Sequence, residues 1–228
     1  MAAPASLGEL EAGARTAATA PRDLLLAGAV PVAFRHYPDG DLYDRVSRAQ
    51  AYFHVHAQGE RGHIHLFLRP GALPAGLRRR AGPVDAPTHL GALELGEDGW
   101  PSALFATNRW VTGEAWYHAA DLVPLLPAFT LALAEPWRWL GQWLTTLVAT
   151  HRQGFAALLR QRDAAMAGAG PADFEDRRRE VLVRDAHPSK PPPSRGDGGG
   201  TFGNQPRAPI TPSASPGRPR LPSGRRGS

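Results

Sequence analysis

The sequence predicts an α+β fold: an antiparallel sheet of about four strands that carries a histidine-bearing hairpin and packs against a long C-terminal amphipathic helix. Three observations carry this reading. Residues 51–57, 62–69, 89–95 and 102–107 alternate apolar and polar side chains with period two, and their connections are short. After Thr112 the period lengthens, and Leu140, Leu144, Leu147, Val148, His151, Phe155, Leu158 and Leu159 recur at steps of three and four. Sheet-forming segments therefore precede helix-forming ones, unlike the alternation of a βαβ protein.

The elements follow in order. Residues 1–35 form a helical N-terminal segment, in which Pro21 separates an anchor at Leu7 and Leu10 from one at Leu24–Leu26. Residues 36–44 hold a Pro38-Asp39-Gly40 turn. Loops at 78–87 and 96–101 separate the later strands. Residues 114–123 read as a short helix ending near Pro124. The long helix starts at Pro136, a favoured first helical residue, and runs to about Ala167, where Gly168 and Gly170 stop it. Gly141 and Gly154 weaken it locally. Residues 173–184 read as a final charged helix.

Charge is spread unevenly. Residues 187–228 hold seven Lys and Arg against one acid, together with ten prolines and eight glycines, whereas residues 1–186 carry 19 Arg and 20 acids. The chain thus reads as a single domain, 1–186, followed by a disordered basic tail, 187–228, too poor in apolar residues to offset the entropy of ordering. Such a tail can meet phosphates, but it shows no aromatic interleaving, so a solvated tail is the simpler reading and a nucleic-acid partner is not expected. A chain with one Lys, rich in Ala, Arg, Gly and Pro, also implies GC-rich coding, and translation in an alternate frame is a further origin for this tail. The absence of cysteine excludes disulfides and thiolate metal sites. No apolar run approaches the ~18 residues of a membrane span. Glu9 and Glu11 precede any Arg, which argues against a signal peptide and makes the cytoplasm the expected compartment.

The chemistry concentrates in the hairpin at 51–69. With Gly59-Glu60 as a two-residue turn, His56 faces His63, His54 faces His65 and Tyr52 faces Phe67. Side chains alternate between faces, so His54, His56, His63 and His65 share one face with Gln58 and Arg61, while Phe53, Val55, Ile64, Leu66 and Leu68 point to the core. Imidazoles gathered this closely can hold zinc, iron or manganese, and a flat sheet leaves the far side of the ion open to water or substrate. A polar face hydrogen-bonded to water is the alternative. A second group lies at 107–114, where Arg109 could fork to a carboxylate or phosphate and Glu114 could complete a metal shell. Equally, Arg109 can pair with an acid and Glu114 can complement a helix N-terminus. Asp41 is a further possible ligand, although turn and cap roles come first for Asp39, Asp41 and Asp44. His118 and His151 read as packing residues, and His36 and His89 stay open.

Three resemblances rest on these residues. His54-Val-His56 followed by Glu60 looks like the first cupin motif, but Arg48 and Phe67 stand where that motif has glycines, and no second motif follows. His54-Val-His56-Ala-Gln58 resembles the His-x-His-x-Gln of galactose-1-phosphate uridylyltransferases in the histidine-triad superfamily, which implies His56 as a nucleophile toward phosphate. More broadly, residues 36–44, the hairpin, Gly99-Trp100-Pro101, residues 104–114 and residues 176–182 are similar to a bacterial family, domain of unknown function 6969. That resemblance implies one coherent domain and no particular activity. The reading is a metal-dependent hydrolase or oxygenase built on the four histidines, with a His56 transferase or a non-catalytic module for a small molecule or partner as alternatives.

Overall fold

The computed structural model describes residues 5–178 and 181–186. At the N-terminus α1 (Leu7–Thr16) begins at a reciprocal cap: Ser6 Oγ accepts from the Glu9 amide at 3.3 Å, and Glu9 returns a carboxylate to the Ser6 amide at 2.8 Å. Pro21 then opens α2 (Pro21–Leu26), as the sequence predicts. The strands are β1 (Tyr37–Tyr43), β2 (Ala49–His54), β3 (His63–Leu68), β4 (Arg79–Ala81), β5 (Thr88–Leu95), β6 (Pro101–Ala106), β7 (Trp116–Tyr117) and β8 (Val183–Ala186). The helices are α3 (Arg109–Thr112), α4 (Ala119–Leu122), α5 (Arg138–Thr150) and α6 (Arg152–Ala165).

The fold is α+β, with an antiparallel sheet of six strands in the order β1-β2-β3-β5-β6-β8 rather than about four. Strands β4 and β7 pair separately. Both additional strands of the main sheet come from segments whose local signal is not that of a strand. The Pro-Asp-Gly sequence makes an irregularity inside β1, where Gly40 and Asp41 adopt φ of 82° and 60° between the paired residues Tyr37 and Leu42. At the other edge, the charged segment 173–184 forms a short 3-10 turn, Pro171–Glu175, and then β8 against β6. Tertiary partners outweigh helix propensity there: Phe174 and Val181 bury beside Trp116, and the Val181 amide donates to Asn108 Oδ1 at 2.8 Å. The helix read at 114–123 is likewise split, into β7, α4 and a 3-10 turn at Val123–Ala128.

The long C-terminal helix is two helices, joined at His151 with φ −98° and ψ 23°. The apolar stripe runs through the joint, so periodicity alone gives no sign of it. The halves have different work: α5 packs against α1, while α6 covers β5 and β6. The sheet admits α6 closely at Gly91, where a Cβ would lie 3.0 Å from Leu158 and 3.2 Å from Phe155. Phe53, Ile64, Leu66, Leu93, Phe155 and Leu159 belong to one buried cluster on this side of the sheet. The tail read at 187–228 lies outside the described residues.

Candidate metal centre

The opposite sheet face carries the histidines. Strand β2 meets β3 with His54 opposite His63, Tyr52 opposite His65 and Gln50 opposite Phe67. This corrects the register read from the sequence, in which His56 faces His63. β2 ends at His54, four residues short of the expected turn pair, and β3 begins at His63, two residues past it, leaving a loop at 55–62 in place of a two-residue turn. Gly62 explains the early end. It sits at φ 74° against the Phe53 ring, where a Cβ would fall 2.4 Å from a ring carbon. A slip of two residues preserves which face each side chain takes, so His54, His63 and His65 still share one. His56 lies exposed in the loop, its amide donating to Glu60 at 2.8 Å, with its ring centroid 5.0 Å from His54 and 4.9 Å from His63. Gln58 and Arg61 are exposed in the same loop, away from the strand ladder.

A β-bulge adds a fourth buried imidazole. Leu66 pairs with Gly91 but Phe67 pairs with His89, so β5 carries one extra residue and its alternation changes phase. Leu90 therefore joins the apolar core, and His89 turns onto the histidine face. His89 Nε2 lies 2.9 Å from His65 Nδ1. Sequence reading leaves His89 open, and the local mark of the bulge is Gly91 inside the strand.

One ring nitrogen from each of His54, His63 and His65 lies within 4.8 Å of the others. The Nε2 atoms of His54 and His63 are 2.6 Å apart. Tyr52, Phe67 and Phe105 wall the group with their rings, and His36 stacks on Tyr52 at 3.6 Å. His54 and His63 are 8% and 9% exposed, His65 and His89 1% and 0%. Burial lowers all four imidazole pKa values: His54 to about 4, helped by the charges of His56 and His36, His63 to about 2, and His89 to about 3, helped by Arg162. His65 falls well below the usual histidine range, again through burial first and the neighbouring imidazoles second. At neutral pH the group is therefore uncharged, the form in which imidazole ligates a metal. Burial also raises the Tyr52 phenol well above its ordinary range, so it stays protonated.

The other sequence-derived candidates go elsewhere. Asp41 accepts from Gln50 Nε2 and sits 3.1 Å from His36 Nδ1, so it holds the His36–Tyr52 stack rather than the three imidazoles. Glu114 is fully buried behind His89, 3.2 Å from Arg162, and its pKa is raised by burial. Arg109 pairs with Glu175 and donates to the Glu114 carbonyl at 3.0 Å. Asp44 caps its own turn, accepting from the Val46 and Ser47 amides at 2.7 and 3.2 Å. Sequence reading misses Arg162, which it treats as one more helical residue, and Glu94, which stands directly across from His63 and pairs with Arg184 at 3.1 Å.

Fold and site together define an α+β protein whose antiparallel sheet presents three convergent, neutral imidazoles able to hold a metal ion. The chain belongs to the family described as domain of unknown function (DUF6969), whose model matches residues 3–185 and so takes in the N-terminal helices as well as the hairpin. No curated protein and no solved structure matches it. No helix among the described residues is long and apolar enough to cross a membrane.

Proposed function

We propose that this protein is a metal-dependent enzyme in which His54, His63 and His65 hold a divalent ion and leave one side open for water and a small-molecule substrate. The single observation behind this is the convergence of three neutral, largely buried imidazole nitrogens within 4.8 Å. Zinc suits the donor set best. Three histidines with a fourth position open is an arrangement in which zinc lowers the pKa of bound water to about 7. Iron oxygenases commonly add a carboxylate to two histidines, and here Asp41 and Glu114 are both engaged elsewhere. Hydrolysis is accordingly the favoured reaction class, with an iron or manganese oxygenase second. His56 lies exposed in the loop beside the group, its ring about as near to His54 as to His63. In the same reading residues 1–186 form one cytoplasmic domain.

The test is elemental analysis of protein purified without chelator or affinity-tag histidines. Near-stoichiometric zinc, iron or manganese is expected, lost in His54→Ala with His63→Ala and kept in His56→Ala. A wild type that binds no divalent metal under any condition sinks the reading. Metal retained in the double variant moves the ligands elsewhere. The transferase alternative requires His56 to attack a phosphate, and a phosphohistidine trapped there with nucleotide would bring it forward.

A further inference from the structure

The bulge in β5 raises a question of main-chain satisfaction. His89 stands next to the extra residue, Leu90, and beyond the last β5–β6 pair, Ala92 with Phe105, and buried backbone groups without partners are costly. At His89 both groups are met by one ion pair. The His89 amide donates to Glu114 Oε2 at 3.1 Å, and the His89 carbonyl accepts from an Arg162 guanidinium nitrogen at 3.3 Å. That nitrogen is also 3.2 Å from Glu114 Oε2, and Arg162 reaches the Tyr117 carbonyl at 3.1 Å while lying 3.9 Å over the Trp116 ring. Thr112 Oγ1 donates to the other Glu114 oxygen at 3.2 Å. Both charged side chains are wholly buried. A buried ion pair is a poor way to gain stability, because apolar residues of the same volume often do as well. Its use here calls for a directional reason.

We infer that His89 is a positioning residue for the ligand His65, and that the Glu114–Arg162 pair acts by clamping the bulge that aims His89 at it. The inference rests on the metal reading above. To ligate through Nε2, His65 must carry its proton on Nδ1, and the group facing that nitrogen is His89 Nε2 at 2.9 Å. The far nitrogen of His89, Nδ1, is buried and makes no hydrogen bond among the described residues, while the Gly91 main chain favours a proton on the ring. A proton on that side leaves Nε2 bare to accept. One hydrogen bond then selects the His65 tautomer and fixes the plane of its ring, which is what an outer partner does for a metal-bound histidine.

The experiment compares wild type, His89→Ala and His89→Gln in the full chain, measuring zinc affinity by competition with a chromophoric chelator. His89→Ala should bind zinc about 10- to 100-fold more weakly, and His89→Gln should recover most of that loss, because its amide oxygen can accept from His65. In zinc-free protein, long-range proton–nitrogen spectra should show His65 protonated on Nδ1 in the wild type and not in His89→Ala. A folded Glu114→Met, Arg162→Met double variant should lose zinc affinity to the extent that His89→Ala does. Wild-type affinity in His89→Ala, or a His65 proton on Nε2, overturns the inference. Should the wild type bind no zinc, it is the metal reading that falls, and the tautomer measurement still decides whether His89 orients His65. If the double variant fails to fold, the two His89 variants decide alone.

Discussion

On its apolar face the sheet meets α6 through Ile64, Leu66, Leu93, Phe155 and Leu159, a cluster of many weak contacts with no preferred direction. On the other face a few nitrogen distances matter, 2.6 Å between His54 and His63 and 2.9 Å between His65 and His89, among rings that gain little by being there. The first arrangement tolerates exchange of one apolar side chain for another of similar volume. The second does not, since each imidazole is buried against its preference for water and a proton. One face thus supplies the stability that lets the other keep uncharged nitrogens out of solvent.

Acid should break the comparison most severely. The imidazoles of the unfolded chain take up protons as pH falls below about 6.5, while in the folded protein His54 resists to about 4, His89 to about 3 and His63 to about 2. Their lowered pKa values mean that stability is complete above about 6.5 and drains away as pH falls through that window. By pH 5 each group that stays neutral costs about 2 kcal/mol, and four of them rival the roughly 5–15 kcal/mol of a typical domain. Metal-free protein should therefore melt far lower at pH 5 than at pH 7.5. A melting temperature independent of pH over this range would show that the rings are not held neutral by the fold.

Next in size is the apolar face alone. Phe155→Ala should cost about 3–5 kcal/mol by denaturant unfolding while leaving zinc stoichiometry intact, because it removes packing and touches no imidazole. Loss of zinc in a variant that remains folded would mean the two faces are not separable. The smallest effect belongs to the tail. Truncation after Ala186 should leave both the melting temperature and the zinc content nearly unchanged, and a drop of many degrees would show that the tail packs on the domain.

How much of this was legible in the sequence depended on the range of the interaction involved. Strand alternation at 51–57 and 62–69 identifies which side chains share a face, and that survives the wrong turn because a slip of two residues returns every side chain to its own side. The register itself hangs on the Phe53 ring lying against Gly62, a contact that alternation does not encode. Alternation misses His89 and Arg162 for the same reason. One depends on a single extra residue in β5, and the other on a helix 73 residues further along the chain. Strands β1 and β8 sit at the edges, where pairing to one neighbour can override a turn or helix signal.

The order of the strands has a consequence for how the site comes into being. His54 and His63 are 9 residues apart, and His65 and His89 are 24 apart, whereas the Arg162 contact to His89 spans 73. Closing the longest of these loops costs about 2 kcal/mol more chain entropy than closing the shortest. A folding chain, or one still emerging from the ribosome, can therefore bring the three imidazoles within reach of an ion before α6 exists to clamp them. On the metal reading, capture of an ion would precede the contact that fixes His89 against His65.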